Sequence, residues 1–239
     1  MIRIDHLDKS YKHLHVLRDI TIGFESGRTT ALLGPNGSGK TTLIKTILGL
    51  VRQDSGTVLV NGCDTRGEWA YRSGIGYMPQ IARYPENLSV DELLAMIADV
   101  RNAAPVRMEE LIDIFELEPH RTKSMRSLSG GTRQKVSAVA ALMFESPVLI
   151  MDEPTAGLDP LMARRLKDVL LEEKNRGRTI LLTTHILSEI EELSDDIAFI
   201  LEGGVMFHGS RERLLTQTGC GDVEHAIASL QPTRTRRAA

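Results

Sequence analysis

The stretch GPNGSGKTT at 34–42 fits the pattern G-x-x-x-x-G-K-[ST], with Gly34, Gly39, Lys40 and Thr41 at its fixed positions. An apolar run, TTALL, leads into it and a helical pattern, KTTLIKTILGL, leads out. Glycines in such a strand-to-helix turn let backbone N–H groups curl round a phosphate. The helix N-terminus adds a positive field, the lysine neutralises the outer phosphates and the hydroxyl ligates Mg²⁺. Residues Gly34, Pro35, Asn36, Gly37, Ser38, Gly39, Lys40, Thr41 and Thr42 are therefore expected to hold a nucleotide, with Thr41 on the metal.

Other reactive groups stand where apolar runs end. PVLIMDE closes on Asp152 and Glu153, the end at which parallel α/β sheets present their chemistry. Successive strand residues point opposite ways, so separate jobs are expected, one carboxylate on Mg²⁺ and the other toward an attacking water. His185 ends RTILLTTH on the same edge, where it could cap the next helix or hydrogen-bond a γ-phosphate and orient its water. Gln80 ends YMPQ and offers an amide to Mg²⁺ or water; Tyr11 offers a ring for a base, or for packing. LSGGT at 128–132 is a second glycine pair opening a helix, and one nucleotide does not need two phosphate cradles.

The elements that position these groups follow from periodicity. Residues 1–33 read as β, in the runs IRIDHL, HVLRDITIGFES and TTALLG, and TVLVNG and SGIGYMPQ add two short strands. From 84 onward the spacing turns helical in SVDELLAMIADVR, with a capping box of Ser89 and Glu92, then in APVRMEELIDIFEL and SGGTRQKVSAVAALMFES. After that β/α alternation resumes from PVLIMDE to IAFILEGG, which predicts parallel strands joined by helices. Asp159 and Pro160 form a natural N-cap and first helical position.

Composition narrows the partners. A chain of 239 residues with a net charge of −3 has no electrostatic reason to seek nucleic acid or an anionic membrane. Its two cysteines, Cys63 and Cys220, lie far apart and outside any CxxC spacing, which predicts neither a disulfide framework nor a zinc site and fits a reducing compartment. No apolar stretch is long enough for a membrane span, and QPTRTRRAA reads as a solvated basic tail.

Taken together, the motifs over residues 1 to about 210 resemble those of the ATP-binding cassette ATPases. The resemblance implies that Tyr11 stacks on adenine and that GPNGSGKTT is the Walker A loop. It makes Gln80 the Q-loop glutamine, LSGGT the signature, Asp152 and Glu153 Walker B with the catalytic carboxylate, Asp159 the D-loop acid and His185 the switch histidine. It implies an α/β P-loop NTPase core of RecA type at 1–83 and 141–210, with an N-terminal antiparallel β subdomain, a helical subdomain at 84–140 and a C-terminal extension at 211–239. Lys40, Gln80, Glu153 and His185 become the catalytic set, and ATP and Mg²⁺ the cofactors, with Asp152, Thr41 and Gln80 at the metal.

The second cradle then serves a partner's nucleotide. Such ATPases pair head to tail, so Ser129, Gly130 and Gly131 of one subunit close over the γ-phosphate held by the other, in a homodimer with two equivalent sites. Thr132 replaces the usual glutamine and Ala156 the usual serine. The implied function is the ATP-hydrolysing subunit of a transporter, on the cytoplasmic face of the membrane and bound to separately encoded permease subunits. IARYPENLSVDELLAM would supply the groove for their coupling helix. Residues 77–94 and 184–204 look similar to cassettes of nitrous-oxide-reductase maturation and its copper site. The competing function is a soluble cassette ATPase of cofactor or metal-cluster assembly.

Overall fold

The computed structural model describes residues 1–67 and 69–230; the basic segment 231–239 anticipated as a tail lies outside them. In chain order the strands are β1 (Ile2–Tyr11), β2 (Leu14–Phe24), β3 (Thr29–Leu33), β4 (Ser55–Val60), β5 (Cys63–Asp64), β6 (Ile75–Met78), β7 (Val148–Asp152), β8 (Thr179–Thr183), β9 (Asp196–Leu201) and β10 (Gly204–Ser210). The helices are α1 (Lys40–Ile47), α2 (Val90–Arg101), α3 (Met108–Ile114), α4 (Gly130–Leu142), α5 (Pro160–Asn175), α6 (Leu187–Leu193), α7 (Arg211–Thr218) and α8 (Val223–Ser229).

Two sheets result. One is antiparallel, in the order β2-β1-β4-β5; the other runs β10-β9-β3-β8-β7-β6. TTALL, VLIMD and TILLT are buried at every position, as parallel strands covered on both faces must be. Neighbouring pairs from β9 through β3, β8 and β7 to β6 are parallel. Their carboxyl ends therefore share one edge. β1 instead alternates buried and exposed residues, the signature of a sheet with one wet face. The fold is thus an α/β P-loop cassette with an added antiparallel sheet.

Three apolar clusters hold these layers. Ile4, Phe24, Ile44 and Ile150 belong to the cluster that joins α1 and the antiparallel sheet to the parallel one. A second cluster unites the inserted helices with the far face of that sheet through Phe115, Val139, Leu149 and Leu166. The third lies under α7 and α8, around Phe199 and Leu214. Arg107 adds an ionic pin at the base of the insertion. It bonds Glu110 at 2.5 Å, Glu172 at 3.2 Å and the buried Glu173, the last two on α5.

The expected caps form. Ser89 accepts from the Glu92 backbone while the Glu92 carboxylate accepts from the Ser89 N–H at 2.8 Å. Asp159 caps α5, with Pro160 as its first residue. The strands expected to be parallel, from PVLIMDE to IAFILEGG, are parallel, and the chain beyond them adds one strand more. β10 turns back antiparallel on β9, through Glu202 and Gly203, both at positive φ of 49° and 83°. That is the backbone a two-residue hairpin requires, so VMFHGS forms an edge strand.

Candidate functional site

The phosphate loop joins β3 to α1, and its tightness is imposed by close neighbours. At Gly34, with φ of 152°, an added Cβ would lie 2.1 Å from the Ile200 carbonyl oxygen, so no larger residue fits. α1 begins at Gly39 with no side-chain cap, unlike α2, α4 and α5, which Ser89, Ser129 and Asp159 cap. First-turn N–H groups without a cap need an acceptor from elsewhere, and an anion meets that need.

A cavity of about 260 Å³ opens at this point. Its lining includes Asn36 to Thr42, Gln80, Asp152 and Glu153, with Leu14 and Val16 of β2 as an apolar wall. The buried Ser38 hydroxyl has no partner among the described residues, and an acceptor placed in the cavity would satisfy it. Lys40 Nζ donates to the Gly34 carbonyl oxygen at 2.6 Å and to that of Pro35 at 3.2 Å. Burial lowers its pKa and the carboxylates of Glu153 and Asp152 oppose that shift. The Tyr77 hydroxyl is pushed up to about 12, by burial first and by Asp152 second.

The carboxylates are held from β8. Thr183 Oγ1 donates to Asp152 Oδ1 at 2.5 Å and accepts from the Glu153 N–H at 3.0 Å. Glu153 lies beyond β7 in the left-handed region, with φ of 50°. This corrects the strand-alternation expectation: the backbone turns at Glu153, so both acids line the same cavity. Two groups then fix the Glu153 carboxylate. Gln80 Nε2 donates to Oε2 at 2.9 Å and His185 Nε2 is 3.0 Å from Oε1.

Not every predicted residue reaches this cavity. Tyr11 pairs across the hairpin with Leu14, which lines the cavity, but its own half-exposed ring instead receives Lys9 Nζ at 5.3 Å from its centroid. Gly34, Pro35 and His185 border not this cavity but a neighbouring recess beneath α8. Ser129, Gly130, Gly131 and Asp159 stand outside the cavity of their own chain. At Gly131 an added Cβ would approach the Gly157 carbonyl oxygen to 2.9 Å, whereas at Gly130 it would meet nothing within 4 Å. Close packing thus explains Gly131, and the surface of Gly130 is open. Ser129 Oγ accepts from Thr132 N at 3.1 Å and shares a hydrogen bond with Thr132 Oγ1 at 2.9 Å.

Residues 17–156 match the model of the family described as "ABC transporter". The chain belongs to that family. The family is that of ATP-hydrolysing cassettes, and this member is an ATP-binding subunit of an ABC transporter and an ATPase. It is 34% identical to the daunorubicin resistance ATP-binding protein DrrA3 of Streptomyces coeruleorubidus, over 91% of this chain and 71% of that protein. It is 32% identical to ABC transporter G family member 23 of Dictyostelium discoideum over 96% of its own length but only 34% of that protein's. A solved ATP binding subunit of an ABC transporter superposes with a TM-score of 0.91 at 31% identity, covering 96% of this cassette and 99% of that one.

Sequence reasoning missed Thr183, Leu14 and Val16. The position of Thr183 directly across from Asp152 in the β7–β8 register was available once the strands were aligned. Leu14 and Val16 carry no chemical signal and become visible only when β2 folds over the loop. Gln134 was missed too: buried on α4, it donates to the Pro154 carbonyl oxygen at 3.2 Å and ties α4 to the turn after β7.

Proposed function

We propose that this ABC cassette is the motor of a transporter, working as a head-to-tail homodimer in which ATP lies between the phosphate loop of one subunit and LSGGT of the other. The observation that carries this reading is the division of phosphate-binding groups. Lys40, Asp152 and Glu153 line one cavity, and Ser129 and Gly130, on open surface, do not border it. Gly130 and Gly131 open α4, whose N-terminus would face the partner's γ-phosphate. Residues 84–140 are proposed as the unit that turns against the core.

Within the site Lys40 and the first-turn N–H groups of α1 bind the phosphates, and Glu153 accepts the proton of the attacking water. Gln80 and His185 orient that carboxylate. Tyr11, beside Leu14 at the cavity wall, is proposed as the base-stacking residue and Asp159 as a group facing the second subunit. Thr41, Asp152 and Gln80 would hold Mg²⁺, whose charge would offset that developing on the phosphates.

A permease partner on the cytoplasmic face is supported by a surface recess of about 370 Å³. Ile81, Tyr84 and Met125 line it, directly beyond Gln80, and Ile81 is 72% exposed. The copper-maturation assignment has the sequence resemblance of residues 77–94 as its support, and cofactor assembly remains the competing role.

Mixing Ser129→Arg protein with Lys40→Ala protein tests the arrangement. Each variant alone should be inactive, and the heterodimer should recover one competent site, seen as ATPase activity of about a quarter of wild type in an equimolar, randomly paired mixture. Full activity of either variant alone would refute the shared site.

A further inference from the structure

We propose that a second recess, on the side of the cassette away from the phosphate loop, binds a soluble phosphate monoester carried on a planar ring. The recess has a volume of about 350 Å³ and lies between the segment after α1 and the loop from β5 to β6. That volume is in the range of small-molecule sites. Arg52, Gln53, Thr65, Arg66, Trp69 and Arg72 line it.

The polar lining is rich in donors. Gln53 is only 7% exposed and its buried Nε2 has no partner among the described residues; the buried Thr65 Oγ1 likewise has none. Buried polar groups without partners are rare and costly. Two of them around one recess call for a ligand that supplies acceptors. Arg52 is exposed and joins no hydrogen bond or ion pair among the described residues. Arg66 is neutralised by Asp64 at 2.9 Å. Arg72 donates to the Gly49 carbonyl oxygen at 2.9 Å and joins no ion pair among the described residues.

That bond also removes the main electrostatic objection. Gly49 and Val51 follow the C-terminus of α1, where the helix dipole would repel an anion. Arg72 covers this end with positive charge. Guanidinium groups, an amide N–H and a hydroxyl together match the oxygens of a phosphate better than those of a neutral sugar or an apolar ligand. Trp69 sits at the rim, 78% exposed. An indole so exposed, beside two arginines that join no ion pair among the described residues, offers a flat face to a ring attached to that phosphate. The recess is distinct from the ATP cavity and about 12 Å from it along the eight residues of α1.

Trp69 is the single tryptophan of the chain, so its emission reports on this recess directly. Full-length protein whose phosphate loop has first been filled with ADP should be titrated with phenyl phosphate, inorganic phosphate and phenol. Phenyl phosphate should change Trp69 emission saturably, at a half-point about tenfold below that of either fragment. Arg52→Gln and Gln53→Leu should each raise that half-point about tenfold, while Arg52→Gln keeps wild-type ATPase activity and an unchanged thermal midpoint. No saturable change, or equal half-points in wild type and Arg52→Gln, would overturn the proposal. So would a response confined to vesicles of phosphatidylcholine and phosphatidic acid, which would assign the recess to a membrane surface.

Discussion

At the scale of single residues, the groups proposed for catalysis meet at Glu153, whose carboxylate is held by Gln80 on one oxygen and His185 on the other. Glu153→Gln should keep ATP binding and lose roughly 10²–10⁴ in turnover, the usual worth of a positioned base. Steady-state ATPase assays beside nucleotide-binding titrations would check both halves. Wild-type turnover would remove Glu153 from the mechanism. Thr183→Val should act differently, because it frees Asp152 without touching a phosphate. The magnesium concentration for half-maximal turnover should rise, and Thr183→Ser should restore it. Asp152, Glu153, Gln80 and His185 were legible because each is a reactive type at the end of an apolar run, and Lys40 because of its place in GPNGSGKTT. Tyr11 was legible only as an aromatic near the site. Whether a ring or its neighbour lines a cavity depends on how the β1–β2 hairpin folds over, and Leu14 and Val16 take that place.

At the scale of elements, the caps carried the most information. Ser89→Ala should remove the capping box of α2 and cost about 1 kcal/mol, read as a fall of roughly 2–4 °C in thermal midpoint. The edge hairpin was harder to foresee, since two short runs split by EGG resemble a strand and a loop until the left-handed backbone of Glu202 and Gly203 is known. β10 also carries a pH-sensitive group. His208 packs edge-on to Phe24, with ring centroids 6.3 Å apart. Burial lowers its pKa from the ordinary 6.5, with Arg213 adding to the shift and Asp196 and Glu25 opposing it. Above 6.5 the ring is neutral in both folded and unfolded chains. As pH falls through 6.5 the unfolded chain gains a proton that the folded chain resists, so stability declines until the folded ring also titrates. Denaturation midpoints at about pH 7.5 and about pH 5.5 should therefore fall less in His208→Gln than in wild type. An equal fall would exclude His208 as a source.

At the scale of the whole molecule, the inserted helices and the core are joined by both apolar packing and the Arg107 pin. Arg107→Met should cost about 3 kcal/mol, because Glu173 is left buried with only Arg176 at 3.1 Å and Arg178 at 3.6 Å. Chemical denaturation measures that loss, and pairing the change with Glu173→Leu should recover much of it. Sheet order was not readable from periodicity, which finds strands but not their neighbours. β3, which leads into the phosphate loop, lies between β8 and β9 in the finished sheet. During synthesis its edges therefore wait for sequence that emerges more than a hundred residues later, on the order of 10 s at ordinary translation rates. A ribosome-bound chain stopped before residue 179 would carry the complete GPNGSGKTT sequence but lack both strands that flank its strand. Nucleotide binding is thus expected to be a late event for this fold, one that waits until β8 and β9 have been made.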